Sequence, residues 1–243
     1  MAQELSHPFS LAWTFHYAAR LHQFRRERQA AQERAEAMMA LSSDQGFPEF
    51  LACGTILRGW ALAVQGQGEE GIAQIRQGWA VWRATGAELW RPHWLALLAE
   101  AYGKVGQTEE GLALLAETLT AVDKTGERWY EAELCRLKGE LTLQKFQVSG
   151  SKFQVANTQH PAPNTQAEAE AEACFHKAIE IARRQQAKSL ELRAVMSLSR
   201  LWQNQGKKAE ARQMLAEIYG WFTEGFDTAD LKEGRVLLEE LQG

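Results

Sequence analysis

Glu100 and Glu140, which lie 40 residues apart, are the side chains of this sequence that come nearest to an acid–base pair. Paired carboxylates can transfer protons when their surroundings separate their pKa values. The sequence contains no recognisable nucleophile arrangement and no glycine-rich phosphate loop followed by Lys-Ser or Lys-Thr. We therefore expect these glutamates to form part of the charged wall of a binding surface, and we predict that the chain is not an enzyme and needs no cofactor.

Metal coordination is a second kind of chemistry that the sequence disfavours. His16 and His93 lack Cys, Asp or His partners at ligand spacing, and Cys53, Cys135 and Cys174 are far apart and odd in number. We predict that there is no metal site and that the cysteines are reduced thiols, most of them buried.

The charge distribution limits the class of partner. The formal net charge is −4, and acidic and basic residues are interspersed, which gives no basic surface for nucleic acid or an anionic membrane. The first residues lack the apolar core of a signal peptide, and no run of about 18 apolar residues is present. We expect a cytoplasmic protein that binds neither nucleic acid nor membrane.

An internal repeat indicates the elements that must position these side chains. The segment 66–71, Gly-Gln-Gly-Glu-Glu-Gly, recurs at 106–111 as Gly-Gln-Thr-Glu-Glu-Gly, and Thr85-Gly86 recurs as Thr125-Gly126. Both matches have a spacing of 40 residues, and a fixed period in this range is typical of stacked structural units. Long stretches rich in Ala, Leu, Glu and Gln predict that these units are helical.

Apolar stripes at helical spacing predict one domain, residues 1–243, built from five helix pairs and a last helix. The expected units are about 8–46, 47–86, 87–126, 127–186 and 187–225, and the capping helix is about 227–241.

Residues 146–165 interrupt the period. They carry no helical stripe, contain turn-forming residues and repeat Lys-Phe-Gln-Val at 145–148 and 152–155. We interpret them as a flexible loop inserted between two helices; a hairpin of the two Phe-Gln-Val segments and a purpose-built binding loop are the alternatives.

The pattern inside each unit resembles the tetratricopeptide repeat (TPR). The third unit carries the resemblance most clearly, with Leu98, Ala99, Tyr102, Gly106 and Leu115 at the characteristic places of that repeat. The resemblance implies an all-α, right-handed TPR-like α-solenoid. The eighth place of each unit should hold a small residue that lets the two helices of a pair approach closely; these residues are Ala19, Gly59, Ala99, Gly139 and Ser199.

A narrower resemblance covers nearly the whole chain. The segments 56–62 and 125–134 are similar to the C-terminal TPR region of bacterial signalling proteins in which an adenylyl or guanylyl cyclase-like domain precedes a STAND-type ATPase module. This resemblance implies a sensor or docking part of such a protein. It does not transfer cyclase or ATPase activity, because the motifs of those activities are missing from this sequence.

In TPR arrays the first helix of each pair lines a concave groove, and the resemblance implies which residues face it. Trp13 and Trp60 are the tryptophans that we expect to be exposed, whereas the other seven should fill gaps between units. The full set of expected partner-binding residues is Trp13, His16, Arg20, Trp60, His93, Glu100, Lys104, Glu133, Arg136, Glu140, Arg193, Arg200 and Asn204.

The function expected from this reasoning is a non-catalytic scaffold or sensor module that binds a peptide or protein segment in the groove. Two alternatives remain open at this point. The chain could bind a small-molecule effector in an enclosed apolar cavity, or it could self-associate through tryptophan-rich surfaces to form a homo-oligomer.

Overall fold

The computed structural model describes residues 7–153 and 165–243, with side chains for all of these except 147–153 and 165. Every regular element in the described residues is an α-helix. The helices are α1 (Pro8–Phe24), α2 (Arg28–Gln45), α3 (Pro48–Val64), α4 (Gly68–Ala84), α5 (Arg91–Lys104), α6 (Thr108–Thr125), α7 (Glu131–Phe153), α8 (Thr165–Arg184), α9 (Lys188–Asn204), α10 (Lys208–Tyr219) and α11 (Ala229–Glu240). These are the ten helices of five pairs and the last helix that the sequence predicts.

The chain divides into two compact units, Met1–Val105 and Gly106–Gly243. Unit 1 contains α1–α5 and unit 2 contains α6–α11. We call the first helix of each pair an A helix and the second a B helix, so that α1, α3, α5, α7, α9 and α11 are A helices. Within unit 1 the A helices α1, α3 and α5 contact one another in succession, as α7, α9 and α11 do within unit 2. The prediction of a single domain stays a prediction.

Turns in the left-handed backbone conformation recur every 20 residues. Positive φ angles occur at Gly46, Gly66, Gly86, Gly106 and Gly126, and again at Gly206. Nothing lies within 4 Å of a Cβ built on any of these glycines, so their role is conformational and not a matter of space. Arg26 and Gln186 adopt the same conformation at the same 20-residue register, although a side chain makes it less favourable. A single helix with its turn, half of the 40-residue unit, is therefore the underlying period.

Small residues at the helix crossings have the opposite role, since there it is space that matters. A Cβ on Gly59 of α3 would lie 2.7 Å from the carbonyl oxygen of Gly71 on α4, and a Cβ on Gly139 would lie 2.5 Å from the ring of Phe175. Ala19, Ala99 and Ser199 occupy the same register and are fully buried. The predicted close approach of paired helices is confirmed, and any larger side chain at these places would push the pair apart.

The sequence analysis predicted that the inserted loop begins at residue 146, and this boundary is wrong. Helix α7 continues to Phe153, so the first part of that segment is helical, and α8 begins at Thr165. Residues 154–164, where the rest of the loop prediction falls, lie outside the described residues. The turn-forming Ser149, Gly150 and Ser151 misled the prediction because single unfavourable residues reduce helix stability by only about 1 kcal/mol or less.

Candidate functional site

The A helices of unit 1 present a cluster of mostly aromatic side chains with a few charged ones, which we call the aromatic face. Its members are Trp13, His16 and Arg20 of α1, Phe50 and Trp60 of α3, and His93, Trp94 and Glu100 of α5. Trp13 packs edge-on against Phe50 with 5.1 Å between ring centroids, and His16 packs edge-on against Trp94 at 6.3 Å. These contacts join all three A helices, so the aromatic face is built by residues far apart in the sequence.

Arg20 is the buried cation of the aromatic face. Its side chain is almost entirely inaccessible to solvent. The guanidinium carbon lies 3.5 Å from the centre of the Trp90 ring and 5.4 Å from that of Phe24. The negative faces of aromatic rings attract such a cation, and the attraction grows when water is excluded. Arg20 is therefore held by rings, and a partner would not reach it without rearrangement.

The two histidines of the aromatic face are buried and uncharged. Burial, reinforced by the charge of Arg20, lowers the pKa of His16 to about 3. Burial also lowers the pKa of His93 well below its ordinary value, with smaller contributions from Arg20 and His16. His93 Nε2 lies 2.9 Å from Gln23 Oε1. Neither ring can exchange protons near neutral pH, which removes them as acid–base groups.

Trp60 is not exposed as the sequence analysis expected; its side chain is 2% accessible. Its Nε1 donates a 2.9 Å hydrogen bond to Glu100 Oε2 on the next A helix. The expectation failed because helical periodicity identifies the side of a helix that faces its neighbours but not how closely they approach. Glu100 is half-buried and Lys104 is exposed, so these two residues remain within reach of a partner.

The A helices of unit 2 carry charged side chains instead, which we call the ionic face. Its members are Glu133, Arg136 and Glu140 of α7, Arg193, Ser197 and Arg200 of α9, and Asp230 and Glu233 of α11.

Arg136 is the centre of the ionic face. It donates to both oxygens of Glu133 at 2.9 and 2.7 Å, and it pairs with Glu140 on the next turn of α7. Ser197 Oγ donates to Glu140 Oε1 at 2.9 Å and thereby links α7 to α9. A carboxylate and guanidinium that are both hydrogen-bonded can remain charged in a largely buried position.

Arg193 links α9 to α11. Its Nε donates a 2.8 Å hydrogen bond to Asp230 Oδ2, and its Nη1 lies 3.8 Å from Glu133 Oε1. Burial alone would lower the pKa of Arg193, but the charges of Asp230 and Glu133 outweigh it and raise that pKa above its ordinary value. The guanidinium is therefore a permanent charge that orients two carboxylates.

Only part of the ionic face is accessible. Glu133 and Arg193 are buried, whereas Arg200 pairs with Glu233 through a 2.7 Å contact in which both side chains are about 40% accessible. Asn204 is exposed one turn further along α9. Arg200, Glu233 and Asn204 are thus the residues of this face that a partner could contact directly.

Sequence reasoning missed Asp230, Glu233 and Ser197. It treated the last helix only as a cap, although Glu233 lies one 40-residue period after Arg193. Extending the register to α11 would have identified Glu233 as a residue of the ionic face. The prediction that Trp221 fills a gap between units is also wrong, because its side chain is 58% accessible.

The thiols offer no nucleophile. Cys53 and Cys135 are buried, Cys174 is partly buried, and all three are free. Burial raises the pKa of Cys135 to about 11 and raises those of Cys53 and Cys174 as well. These groups stay protonated at neutral pH and are weak nucleophiles.

Two further searches cover the described residues only. Residues 7–153 and 165–243 contain no group of three or more His, Cys, Asp or Glu side chains placed to hold a metal ion. In the same part of the chain, none of the helices is both long enough and apolar enough to cross a lipid bilayer.

Solved structures with the same arrangement of helices identify the fold. The nearly identical TPR-like repeats of a Podosopora anserina protein described as a putative kinesin light chain align over 98% of this chain and 99% of their own length, with a TM-score of 0.51 and 20% sequence identity. A single-residue variant of these repeats aligns over 88% of this chain and 95% of its own length, with a TM-score of 0.54 and 20% identity. The chain has a TPR-like α-solenoid fold.

At this identity the likeness concerns the fold alone. No family model and no curated protein sequence matches the chain. TPR-like folds generally mediate binding to proteins or peptides and are typically non-enzymatic. The narrower resemblance to cyclase–ATPase signalling proteins has no support among these comparisons.

Proposed function

We propose that the chain is a non-catalytic interaction module that binds an extended peptide or protein segment against the A-helix faces of its units. One observation carries the proposal: on the ionic face, charged side chains from three successive A helices converge and fix one another's positions. Such prearranged charges reduce the ordering that binding would otherwise require. A binding surface of this kind explains why Glu133 and Arg193 occupy the repeat place that Trp13 and His93 hold in unit 1.

The residues divide into a supporting and a contacting group. Glu133 and Arg193 are buried and act by orienting their neighbours. Arg200 and Asn204 reach solvent, and an acidic side chain or terminal carboxylate of a partner would replace Glu233 at the Arg200 guanidinium. Arginine offers a planar pair of donors to a carboxylate, which makes it a common anchor in such interfaces. We therefore expect an acidic group in the bound segment.

In unit 1 the corresponding accessible residues are Glu100 and Lys104. Trp13 is partly accessible, whereas His16, Arg20, Trp60 and His93 lie beneath the surface. On this proposal the buried four support the face from below and do not touch the partner. This division changes the roles of the expected binding residues without changing the helices on which they lie.

Selection from a random peptide display library against the immobilised chain tests this function. Binding of the selected peptides to the chain and to an Arg200→Ala variant is then measured by isothermal titration calorimetry. The matched control is Arg212→Ala, which removes the same charge from an exposed position of the B helix α10. We expect Arg200→Ala to weaken binding roughly tenfold and the control to leave it unchanged. Equal affinities of the two variants, or no selected peptide, would contradict the proposal.

A small-molecule effector is a second candidate, favoured by one cavity in unit 1. A space of about 280 Å³ lies between α2, α3 and α4, lined among others by Met39, Leu51, Thr55 and Val81. The Oε1 atom of Gln74, another lining residue, is buried without a hydrogen-bond partner in the described structure. The lining also includes Arg58 and Gln77, so this partly apolar space with one unpaired acceptor suits a small molecule that has an apolar part and a donor group.

Native mass spectrometry of the chain with a metabolite extract tests the second candidate. A Val81→Trp variant would fill the cavity, and Val236→Trp, at another exposed apolar position, is the control. Loss of a bound metabolite from the first variant alone would favour the effector function.

We also propose, from the sequence resemblance, that the module acts in bacterial cytoplasmic signalling beside catalytic domains. Mass spectrometry of the native protein from its source cells tests this context. Peptides from a cyclase-like or ATPase domain in the same polypeptide would support it, and a native protein without them would contradict it.

A further inference from the structure

The outer side of α1 carries an exposed stripe at helical spacing. The stripe is formed by Thr14, Tyr17, Leu21 and Arg25, and we call it the α1 stripe. Tyr17 and Leu21 are 53% and 57% accessible, which is unusual for large apolar side chains beside a packed core. Thr14 is also exposed and Arg25 is half-exposed. The stripe adjoins the aromatic face: the Tyr17 ring stacks on Trp13 with 5.3 Å between centroids and packs edge-on against His16 at 5.5 Å.

The repeat register shows what covers the equivalent stripe on α3. Forty residues after the α1 stripe come Gly54, Leu57, Ala61 and Gln65, of which the first three are buried. The helix on top of them is the B helix α2. A Cβ on Gly54 would lie 2.6 Å from Met39 Cγ, and Gln65 Nε2 donates a 2.8 Å hydrogen bond to Gln32 Oε1. A preceding B helix therefore occupies this stripe on α3.

Unit 2 repeats the arrangement independently. The equivalent stripe on α9 consists of Ala194, Ser197, Leu201 and Gln205, and the first three are buried. The preceding B helix α8 packs against α9, and Gln205 Nε2 donates a 2.8 Å hydrogen bond to Glu168 Oε2 on α8. Ser197 Oγ donates to Glu140 on the preceding A helix α7. In both units the first three places are thus buried, and the fourth place makes a polar contact with the preceding B helix.

The α1 stripe has the same register, and no helix among the described residues lies in the covering position. A B helix of a second copy of the chain is a poor occupant. The B helices α2, α4 and α10 already bury their apolar stripes within their own units, for example through Ala35, Ile75 and Leu215. A copy would have to unpack one of them in order to dock it.

The charge of α1 indicates the chemistry of the occupant. Its residues, Pro8–Phe24, include no aspartate or glutamate, and Arg25 follows at the end of the stripe. Arg25 stands where Gln205 meets a glutamate in unit 2. Its Nε already pairs with Glu27 Oε1 at 2.7 Å, and the exposed Arg26 and Arg28 leave this end of α1 with a net positive charge. We propose that the α1 stripe is a docking site for an acidic amphipathic helix of a partner protein, seated as α2 is on α3 with a carboxylate near Arg25. This site adjoins the aromatic face, and it does not depend on the function proposed for the ionic face.

The chain supplies a probe for this site. A synthetic peptide of residues 166–184 contains the part of α8 that covers the equivalent stripe and includes Glu168. With Cys174→Ser to prevent oxidation and a fluorescent label, its binding to the intact chain is measured by fluorescence polarisation. A photoactivatable group on the peptide then shows which helix it contacts. We expect saturable binding and a crosslink to α1.

A Tyr17→Ser/Leu21→Ser variant should weaken peptide binding at least tenfold, while the control Val236→Ser should not change it. Both positions of the double variant are exposed, so the chain should keep its helicity by circular dichroism. A Glu168→Lys peptide should bind more weakly to the natural chain, and an Arg25→Glu variant should restore its binding. Restored binding would show that the charges at positions 168 and 25 interact, because a loss of stability in the Arg25→Glu variant could not restore the affinity for the peptide.

Three results would overturn the proposal. The first is the absence of peptide binding, and the second is a crosslink to α9 or another helix that survives the Tyr17→Ser/Leu21→Ser changes. The third is a dimer in sedimentation velocity that these changes dissolve, because the occupant would then be a second copy. None of these outcomes bears on Arg200 and the peptide-display experiment, so the two proposals fail separately.

Discussion

The aromatic face of unit 1 and the ionic face of unit 2 are built on the same repeat register but stabilise buried polar groups in different ways. Arg20, Trp60, Glu100, Glu140 and Arg200 occupy one place of the repeat in five successive A helices. In unit 1 that place is covered by rings: Arg20 lies against Trp90, and Trp60 holds Glu100. In unit 2 the charges pair with each other, as Arg200 does with Glu233.

The difference shows that the repeat determines where a side chain lies but not whether a partner can reach it. Rings fill space and exclude water, so a cation among them becomes part of the core. Charged chains need partners and solvent, so an ionic face remains partly open at its rim. The ionic face is therefore the better candidate for reversible binding, and the following experiments test the contrast.

The largest expected effect is the loss of a ring from the aromatic face. Trp94→Ala should destabilise unit 1 by about 4 kcal/mol, because the ring is fully buried and its removal leaves a cavity. Denaturant unfolding followed by circular dichroism measures the loss. The control is Trp221→Ala at an exposed position, which should change stability by less than about 1 kcal/mol. Similar losses in the two variants would mean that the aromatic face is not a packed core.

Breaking the ionic face should have the next largest effect. Arg193→Ala should cost about 3 kcal/mol, because Asp230 and Glu133 would be left buried without their counter-charge. The double variant Arg193→Met/Asp230→Leu should recover much of this loss, since it removes both members of the closest pair. If the double variant is as unstable as the single one, the ion pair is not the cause.

Enlarging the small residues at the helix crossings should destabilise both units to a similar extent, whereas the aromatic and ionic faces should differ in their response to substitution. Ala99→Leu and Ser199→Leu should each destabilise their unit by about 2 kcal/mol, because both positions are fully buried where a small residue permits close approach. Urea unfolding midpoints give the comparison, with the exposed Ala80→Leu as the control. An unchanged midpoint for Ala99→Leu would show that the helix register is assigned incorrectly.

Acid should affect unit 1 before unit 2. The pKa of His16 is about 3 in the folded chain and near 6.5 in the unfolded chain, so its contribution to stability is complete above pH 6.5 and declines as the pH falls towards 3. The slope is at most about 1.4 kcal/mol per pH unit for this group. His93, whose pKa is also lowered by burial, should act in the same direction.

In unit 2 the acid response should begin lower. Burial alone would raise the pKa of Glu191, but hydrogen bonds from Arg183 and Lys188 lower it below 4.5, so its contribution is lost only as the pH falls below that value. Amide hydrogen exchange at pH 7.5 and pH 5, corrected for intrinsic rates, resolves the two units. Faster exchange in α9 than in α5 at pH 5 would contradict the assignment, and His16→Phe should reduce the response of unit 1.

The smallest effect is expected at the rim of the ionic face. Arg200→Ala should change the free energy of unfolding by about 0.5 kcal/mol, because the Arg200–Glu233 pair is about 40% accessible and water replaces it readily. Thermal unfolding of the two proteins at low and high salt measures this change in stability. A loss comparable to that of Arg193→Ala would show that Arg200 is structural and not available to a partner.

The sequence determined the repeat and the places where helices approach or turn. Gly59 and Ala99 at the crossings, and Gly46, Gly86 and Gly126 at the turns, follow from residue types alone, since close approach excludes side chains and a positive φ favours glycine. The same reasoning could not find Arg26 and Gln186, which take the turn conformation without being glycine. It also selected most of the A-helix residues that contribute to the two faces, but it missed Phe50, Trp94, Ser197, Asp230 and Glu233.

Only the tertiary structure decided which of those positions are covered. The 3.6-residue period assigns a side chain to one side of its helix, but coverage depends on helices distant in the chain. His93 meets Gln23 across 70 residues, and Trp60 meets Glu100 across 40. Tyr17 and Leu21 show the converse: their register predicts burial, yet no described helix lies over them, because burial is a property of the neighbour and not of the residue.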